Sequence, residues 1–453
     1  MKNINTKFLM TSEKSNPIPF NFRQLFVLAL SLLIGFGSQA QNPAAGKAQR
    51  MPIALIGGTI HVGDGSIIEN GTVIFDKGII TTVGNQNIPI NKMTKVIDVK
   101  GKHVYPGLIA PNAQAGLNEI GSIRATQDYE EIGNFNPNIR TLTSYNTDAE
   151  SIPTIRGNGI MIGQATPEGG IISGTSSIMN FDGWNWEDAV LKADDGVWMN
   201  WPSLITQTFL RLEFRTESKP NEKYMSQLTE IKNFFEEAKA YSQLKNPNPI
   251  NYKLEAMKGL FTGDKKLYVN VNEGKEIIET VLFAKKIGVK NLVIVGAEEA
   301  ELAMDILKDN NIAVLVSPTH RLPNSIDEDV WQPYKLPNIL AKKGILTGIY
   351  YTASFWRTRN LPFIAGTAAA YGLDKEEALK MITLNNAKIL GIDKQVGTIA
   401  EGKQATIVVS KGDILDMRTN QIEQAYINGK EVNLDDKQKR LYQKYSEKYG
   451  IEK

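Results

Sequence analysis

The sequence predicts an α/β protein in which a (β/α)8 TIM-like barrel is inserted into a small composite β-sandwich domain built from both chain ends. Three observations predict it. The stretch at 54–84, ALIGGTIHVGDGSIIENGTVIFDKGIITTVG, is rich in β-branched residues and broken by Gly-Asp-Gly, Asn-Gly and Asp-Lys-Gly, the pattern of short strands joined by tight turns. The same texture returns in VGTIAEGKQATIVVSKGDIL and IEQAYINGKEV near the C-terminus. Between the two, strand-like and helix-like segments alternate, which implies parallel βαβ units. The roughly 290 residues of that middle suit an eightfold barrel. A doubly wound sheet is the competing architecture, and the flanking β-domain argues against it.

Taken in order, residues 1–40 read as a signal peptide. Lys2, Lys7, Lys14 and Arg23 precede the apolar run Leu25–Phe36, and Ser38-Gln39-Ala40 offers a small-residue cleavage site. The run is shorter than the ~20 residues a membrane span needs, although an uncleaved anchor remains the alternative. The basic region is long, so Met10 competes with Met1 as the start. The whole chain carries a formal charge of +2, and removing four cations and Glu13 with the leader (2 − 3) leaves −1. That balance gives no reason to expect a nucleic-acid partner. Beyond the leader no apolar run is long enough to cross a membrane, so no membrane association is expected once the leader is cut.

Residues 42–50 read as a flexible mature N-terminus, and 51–105 with 396–434 as the composite β-domain. TVIF-DKG-IITTV reads as one hairpin with a glycine-containing loop. The barrel spans 106–395. Its clearest unit runs LYVNV (strand), GKEIIETVLFAKKIG (helix closed by glycine), NLVIVG (strand), EEAELAMDILKDN (helix) and IAVLVSP (strand). Residues 435–453 read as a charged surface helix, a solvated face rather than a partner site. With no cysteine anywhere, disulfides, a thiol nucleophile, thiolate metal ligation and an N-terminal lipidated cysteine are all excluded.

The segments GGTIHVGDG, FDKGIITTVG, YPGLIAP, ALKMITLNNAKILGI, VGTIAEGKQATIVV and AYINGKEV, in that order, resemble the amidohydrolase superfamily, most closely its imidazolonepropionase-like branch. The resemblance covers nearly all of the mature chain. It implies a barrel with a composite β-sandwich and hydrolysis of non-peptide carbon–nitrogen bonds. There one or two divalent metal ions such as zinc activate a water and polarise a carbonyl. It places imidazole and carboxylate ligands at the C-terminal ends of barrel strands. Against the pattern PGLID-x-H-x-H, Pro106, Gly107, Leu108 and Ile109 match. Ala110 stands for the aspartate, and Asn112 and Gln114 for the two histidines. The middle-strand histidine falls at Asn270 or Asn272, the next at Val295, and the late-strand aspartate at Ala353. No bridging lysine is assigned.

Composition points the same way. The only histidines are His61, His103 and His320, and the first two belong to the β-domain and its exit, where they read as structural. Carboxamides bind zinc poorly. An oxygen-only calcium or magnesium site using Asp128, Asp148 or Glu273 lacks the aspartate-rich loop spacing such sites show. No cofactor is therefore expected.

Other candidates sit beyond strand ends. His320 follows IAVLVSP and is the candidate general base. Arg357, after YYTASFW, and Arg124 and Arg140, in the long polar loop after the first strand, could hold an anionic group. Trp184 and Trp186 could stack on a sugar, or pack between loop and barrel. EGGIISGTSS, with neither phosphate-loop spacing nor a G-x-S-x-G elbow, reads as turns only. These readings converge on an exported, metal-depleted member of the superfamily that binds a small-molecule ligand or pairs with a metal-containing homologue or a second copy of itself. Expected ligand contacts are Asn112, Gln114, Arg124, Asn270, Asn272 and Arg357. The alternative is a hydrolase with an atypical or metal-free site centred on His320, and the third is a sugar-binding module using the tryptophans.

Overall fold

The computed structural model describes residues 44–85, 87–210, 215–323, 328–351 and 355–451. The leader with its Ala40 cleavage site, and Ala353, lie outside them.

The N-terminal part of the β-domain comprises β1 (Ile53–His61), β2 (Ile67–Asp76), β3 (Ile79–Asn85), β4 (Lys95–Asp98) and β5 (His103–Pro106). The C-terminal part adds β16 (Ile407–Ser410), β17 (Ile422–Ile427) and β18 (Lys430–Glu431). They form one sheet in the order β18-β17-β16-β5-β1-β2-β3, with β4 alongside β1. β16 pairs antiparallel with β5, so the two chain ends meet in the middle of the sheet. Two hairpins set its edges. Lys77-Gly78 and Asn428-Gly429 each form a two-residue loop with both φ values positive, the geometry whose twist matches the flanking strands. The sheet closes over its own small core of Leu55, Val73, Phe75, Val104, Ile407 and Tyr426.

Directly after β5 the chain enters the barrel. Its strands are β6 (Leu108–Ala113), β7 (Ile160–Ala165), β8 (Ile172–Asn180), β9 (Val190–Asn200), β12 (Lys266–Val271), β13 (Leu292–Gly296), β14 (Ala313–Val316) and β15 (Thr347–Ile349). They form an eight-stranded sheet in that order around the barrel. It departs from a strict (β/α)8 scheme at one strand, because β8 runs antiparallel to both β7 and β9. The cause is connection length. A parallel crossover needs a dozen or more residues, and only the six residues 166–171 separate β7 from β8. β9 then restores the parallel direction with β12.

Between the edge strands β6 and β15 the barrel is closed by a side chain. Asn386, fully buried, donates through Nδ2 to Ile109 O and to Ile349 O, both at 2.9 Å. Beyond β9 a hairpin, β10 (Ile205–Leu210) and β11 (Arg215–Pro220), stands on the mouth side. The helices Tyr224–Ser242 and Tyr252–Thr262 follow it and return the chain to β12. The charged C-terminal segment is helical over Lys437–Tyr449, capped by Asp436, with Ser446 its only buried residue. Among the described residues no helix is long and apolar enough to cross a membrane.

Candidate functional site: the mouth of the barrel

The C-terminal ends of β9, β12, β13 and β15 surround a cavity of about 1030 Å³, bordered on one side by the β10–β11 hairpin through Ile205 and Ser218. Its wall is acidic. Among the described lining residues seven are carboxylates, including Glu273, Glu276, Glu298 and Glu299, and one, Arg321, is a cation. Trp201 and Tyr350 also line it. Glu273 follows β12, and Glu298 and Glu299 follow β13, so two parallel neighbours deliver their acidic turns to one place.

Each carboxylate has a defined setting. Glu299 accepts the Gly274 N–H at 2.9 Å, at the start of helix Gly274–Ile287. Glu276 accepts the Leu204 N–H at 2.7 Å and the Ser203 hydroxyl at 3.2 Å. Arg321 meets Glu328 at 2.5 Å and Glu298 at 3.6 Å. Burial first, then the charges of Glu299 and Glu276, push the Glu273 carboxyl up to about 7. A group titrating there can give or take a proton near neutral pH.

The structure sorts the residues expected at the site. Asn270 and Asn272 line the cavity, and Val295 sits in its floor. Asn270 donates to the Asn200 side chain at 2.8 Å, and the Asn272 carbonyl accepts the Glu299 N–H at 2.9 Å. Asn112 and Gln114 are buried beside the cavity rather than lining it. Asn112 sits at the end of β6 with φ +50°. Its N–H donates to Gln164 Oε1 at 3.2 Å, and its side chain bonds Tyr350. Gln114 bonds Glu168. At the positions where the resemblance implies histidine ligands, both carboxamides have protein partners.

His320 lies elsewhere. Thr319 Oγ1 donates to Ile364 O at 3.0 Å, which pins the loop after β14 to helix Leu361–Ala370. The His320 ring then bonds Thr367 on that helix at 2.6 Å and lines a separate cavity of about 610 Å³ with Lys375 and Asp413. Burial pulls its pKa below the ordinary value. Arg124 spends its guanidinium on Gln127 O (2.6 Å) and Glu130 O (2.7 Å) within its own loop. Arg357 is exposed and does not line the mouth cavity. Arg140 pairs with Asp194 at 2.8 Å. Trp184 is 71% exposed, whereas Trp186 packs against the barrel core. The two tryptophans thus do not form one stacking platform.

Sequence reasoning missed the polar cluster beneath the mouth. Asp195, fully buried, accepts from Ser176 Oγ (2.7 Å), Tyr268 OH (2.8 Å) and Gln164 Nε2 (2.9 Å). Gln164 in turn holds the Asn112 N–H, so the cluster fixes the end of β6. Burial pushes the Asp195 carboxyl up, and the Ser176 and Tyr268 hydrogen bonds oppose it. The acidic turn GAEEAE after β13 was visible in the sequence. Its convergence with Glu273 was not, because it depends on strand pairing.

The metal centre of the resemblance can be tested on the donor set. Asn112, Gln114, Asn270, Asn272 and Val295 offer no imidazole and no carboxylate, and the side-chain amides of Asn112, Gln114 and Asn270 are engaged with protein partners. Among the described residues no group of three or more His, Cys, Asp and Glu side chains is placed to hold an ion. The residues present do not fit an imidazole–carboxylate metal centre.

Comparison with known proteins agrees with this architecture. A sequence profile of the amidohydrolase family matches residues 203–432, just over half of the chain. Among solved structures, an amidohydrolase from Thermotoga maritima MSB8 is similar at 22% identity, with 84% of this chain and 99% of that chain covered and a TM-score of 0.72. A molinate hydrolase is similar at 14% identity, covering 86% and 95%, with a TM-score of 0.52. A prolidase-like protein from Bifidobacterium longum is similar at 17% identity, covering 87% and 99%, with a TM-score of 0.50. At these identities the likenesses establish the fold alone. No curated protein matches the chain. On the profile match and the barrel with its composite β-sandwich, this chain belongs to the amidohydrolase family.

Proposed function

We propose that the protein is an exported, metal-depleted amidohydrolase-superfamily member that binds a small cationic ligand in the mouth of its barrel. In this reading it is a binding or partner protein, a pseudoenzyme, rather than a metallohydrolase. The observation that carries the reading is the wall of the cavity, whose described lining residues include seven carboxylates and one arginine around a volume of about 1030 Å³. A cleft lined by one sign of charge concentrates the opposite sign. Trp201 and Tyr350 also line the cavity, bringing aromatic rings near a bound cation. Export rests on the leader pattern, with the mature chain starting after Ala40. Pairing with a metal-containing relative or a second copy is compatible with this role, since a binding subunit needs no metal of its own.

Calorimetric titration with spermidine tests the reading. Saturable binding is expected, weakening by roughly tenfold or more between 50 and 500 mM salt as the charges are screened. Binding of dicarboxylate probes with none of spermidine would overturn it.

A second reading is supported by Glu273. A carboxyl titrating at about 7 in the barrel mouth is suited to acid–base hydrolysis of a carbon–nitrogen bond without a metal. Turnover of amides or cyclic ureas that vanishes in Glu273→Gln and survives His320→Ala would select that reading.

A further inference from the structure

A second set of titratable groups lies where the β-domain meets the barrel. His61 ends β1, and His103 begins the neighbouring β5, paired with Thr59. The His61 ring is 5% exposed as a residue and lies on the Tyr105 ring, with centroids 4.3 Å apart and planes within 13°. Its Nε2 is 3.0 Å from His103 Nδ1. On the other side its Nδ1 is 2.8 Å from Glu376 Oε1. Glu376 belongs to the barrel, in the first turn of helix Lys375–Met381. Its second oxygen, Oε2, is buried and without a partner among the described residues. A continuous chain, Glu376–His61–His103, therefore runs from a barrel helix into the middle of the β-domain sheet.

Counting protons across this chain gives its behaviour. His61 Nδ1–H donates to the Glu376 carboxylate, so in the uncharged pair His61 Nε2 is an acceptor and His103 must present Nδ1–H to it. One added proton is tolerated, because a single N–H still lies between the facing nitrogens whichever ring carries the charge. A second added proton puts N–H groups on both facing nitrogens. Two donors 3.0 Å apart on two cationic rings cannot bond each other. We propose that Glu376, His61 and His103 form an acid-sensitive clamp between the β-domain and the barrel, closed while the imidazoles share one N–H across their contact and opened when both rings are protonated. The clamp stands apart from the barrel mouth and does not depend on the ligand proposed there.

The other charges around the pair are mixed. Asp413 and Glu69 favour a proton on His103, whereas Lys375 opposes it and is itself tied to Asp413 at 2.6 Å. Burial is the largest effect on His103 and His61 the next, and together they pull its pKa below the ordinary value. For a base this sets the sign. The unfolded chain takes up the proton at the ordinary value of about 6.5, while the folded state resists it. The contribution to stability is therefore complete above that pH and declines as the pH falls below it.

With only three histidines in the chain, selective 13C,15N-histidine labelling of the intact protein gives a readable spectrum. At pH 8 both His61 and His103 are expected as Nδ1–H tautomers, the less common form in free imidazole. On acidification the hydrogen-bond coupling between the rings should persist through the first protonation of the pair and vanish with the second. Two rings titrating independently, or the Nε2–H tautomer on both at pH 8, would overturn the proposal. A stability series gives a second readout. From pH 6.5 to 4.5 the unfolding constant of wild type should rise more steeply than that of His103→Asn, by up to tenfold per pH unit for one linked proton. Asparagine keeps a side-chain N–H but cannot titrate. Equal slopes would overturn the clamp, and if His103→Asn fails to fold, the wild-type spectra decide alone.

Discussion

Asp195→Ala is expected to destabilise the protein by about 3–5 kcal/mol, the range for removing one member of a buried, charge-bearing network. The substitution leaves the Tyr268 hydroxyl, the Ser176 hydroxyl and the Gln164 amide without their acceptor, and all three residues are fully buried. Each orphaned buried donor costs roughly 1–3 kcal/mol. Local relaxation recovers part of that sum, for example through the remaining Gln164–Ser176 contact at 3.2 Å. Asp195→Asn should cost less, about 1–3 kcal/mol, because one oxygen remains while the new NH2 confronts a donor. Urea denaturation of the two variants beside wild type measures both. The damage should reach the mouth, since Gln164 holds the Asn112 N–H in a left-handed conformation that an L-residue rarely adopts. A loss below 1 kcal/mol for Asp195→Ala would mean that the cluster does not organise the barrel interior.

Glu273→Gln is expected to stabilise the protein at pH 8 and at the same time weaken cation binding. The sign follows from the direction of the shift. The carboxyl titrates at about 7 in the folded state against an ordinary value of 4.5. As pH rises between these values, the unfolded chain releases a proton that the folded chain retains, so this group subtracts stability progressively across the window and fully above it. Glutamine removes the charge and keeps the shape. Denaturant midpoints should therefore favour the variant at pH 8, and the difference should shrink at pH 5. Wild-type affinity for spermidine should rise with pH through about 7. The variant should lose that rise and bind about tenfold more weakly at pH 8, as expected for one charge near a partly hydrated cation. A variant less stable than wild type at pH 8 would contradict the crowded-carboxylate picture. A residue that costs stability where it is charged is more readily explained by a site than by packing.

Much of the architecture was legible because local chemistry decided it. Lys77-Gly78 and Asn428-Gly429 could form only tight turns, so the β-texture at both ends was visible, and the helix closed by glycine at Gly288 was visible for the same reason. The reversal of β8 was less legible. The glycine-rich stretch 168–177 reads as turns alone, yet Ile172–Ser177 opens β8, and strand direction depends on how few residues precede it rather than on which. Asp195 was hidden by a bulge. Between the pairs Ser176–Gly196 and Ile178–Lys192, β9 advances four residues while β8 advances two, and Asp194 takes a positive φ. Simple alternation therefore fails to show which face Asp195 joins. His320 was expected at the mouth because it follows a strand end, and the Thr319–Ile364 contact that turns it away links residues distant in sequence. The absence of imidazole from the aligned ligand positions was legible outright, since it is a statement about residue identity.

The central claim is that this member of the amidohydrolase family has kept the barrel and exchanged its ion site for an acidic binding cavity. Elemental analysis of the purified mature protein, prepared without chelator, tests it most directly. The account predicts less than about 0.1 equivalent of any transition metal, because carboxamides and a valine stand where imidazoles would bind. A stoichiometric transition metal that survives dialysis and is unaffected by Glu273→Gln would contradict it, since ligands other than the residues described here would then have to hold the ion.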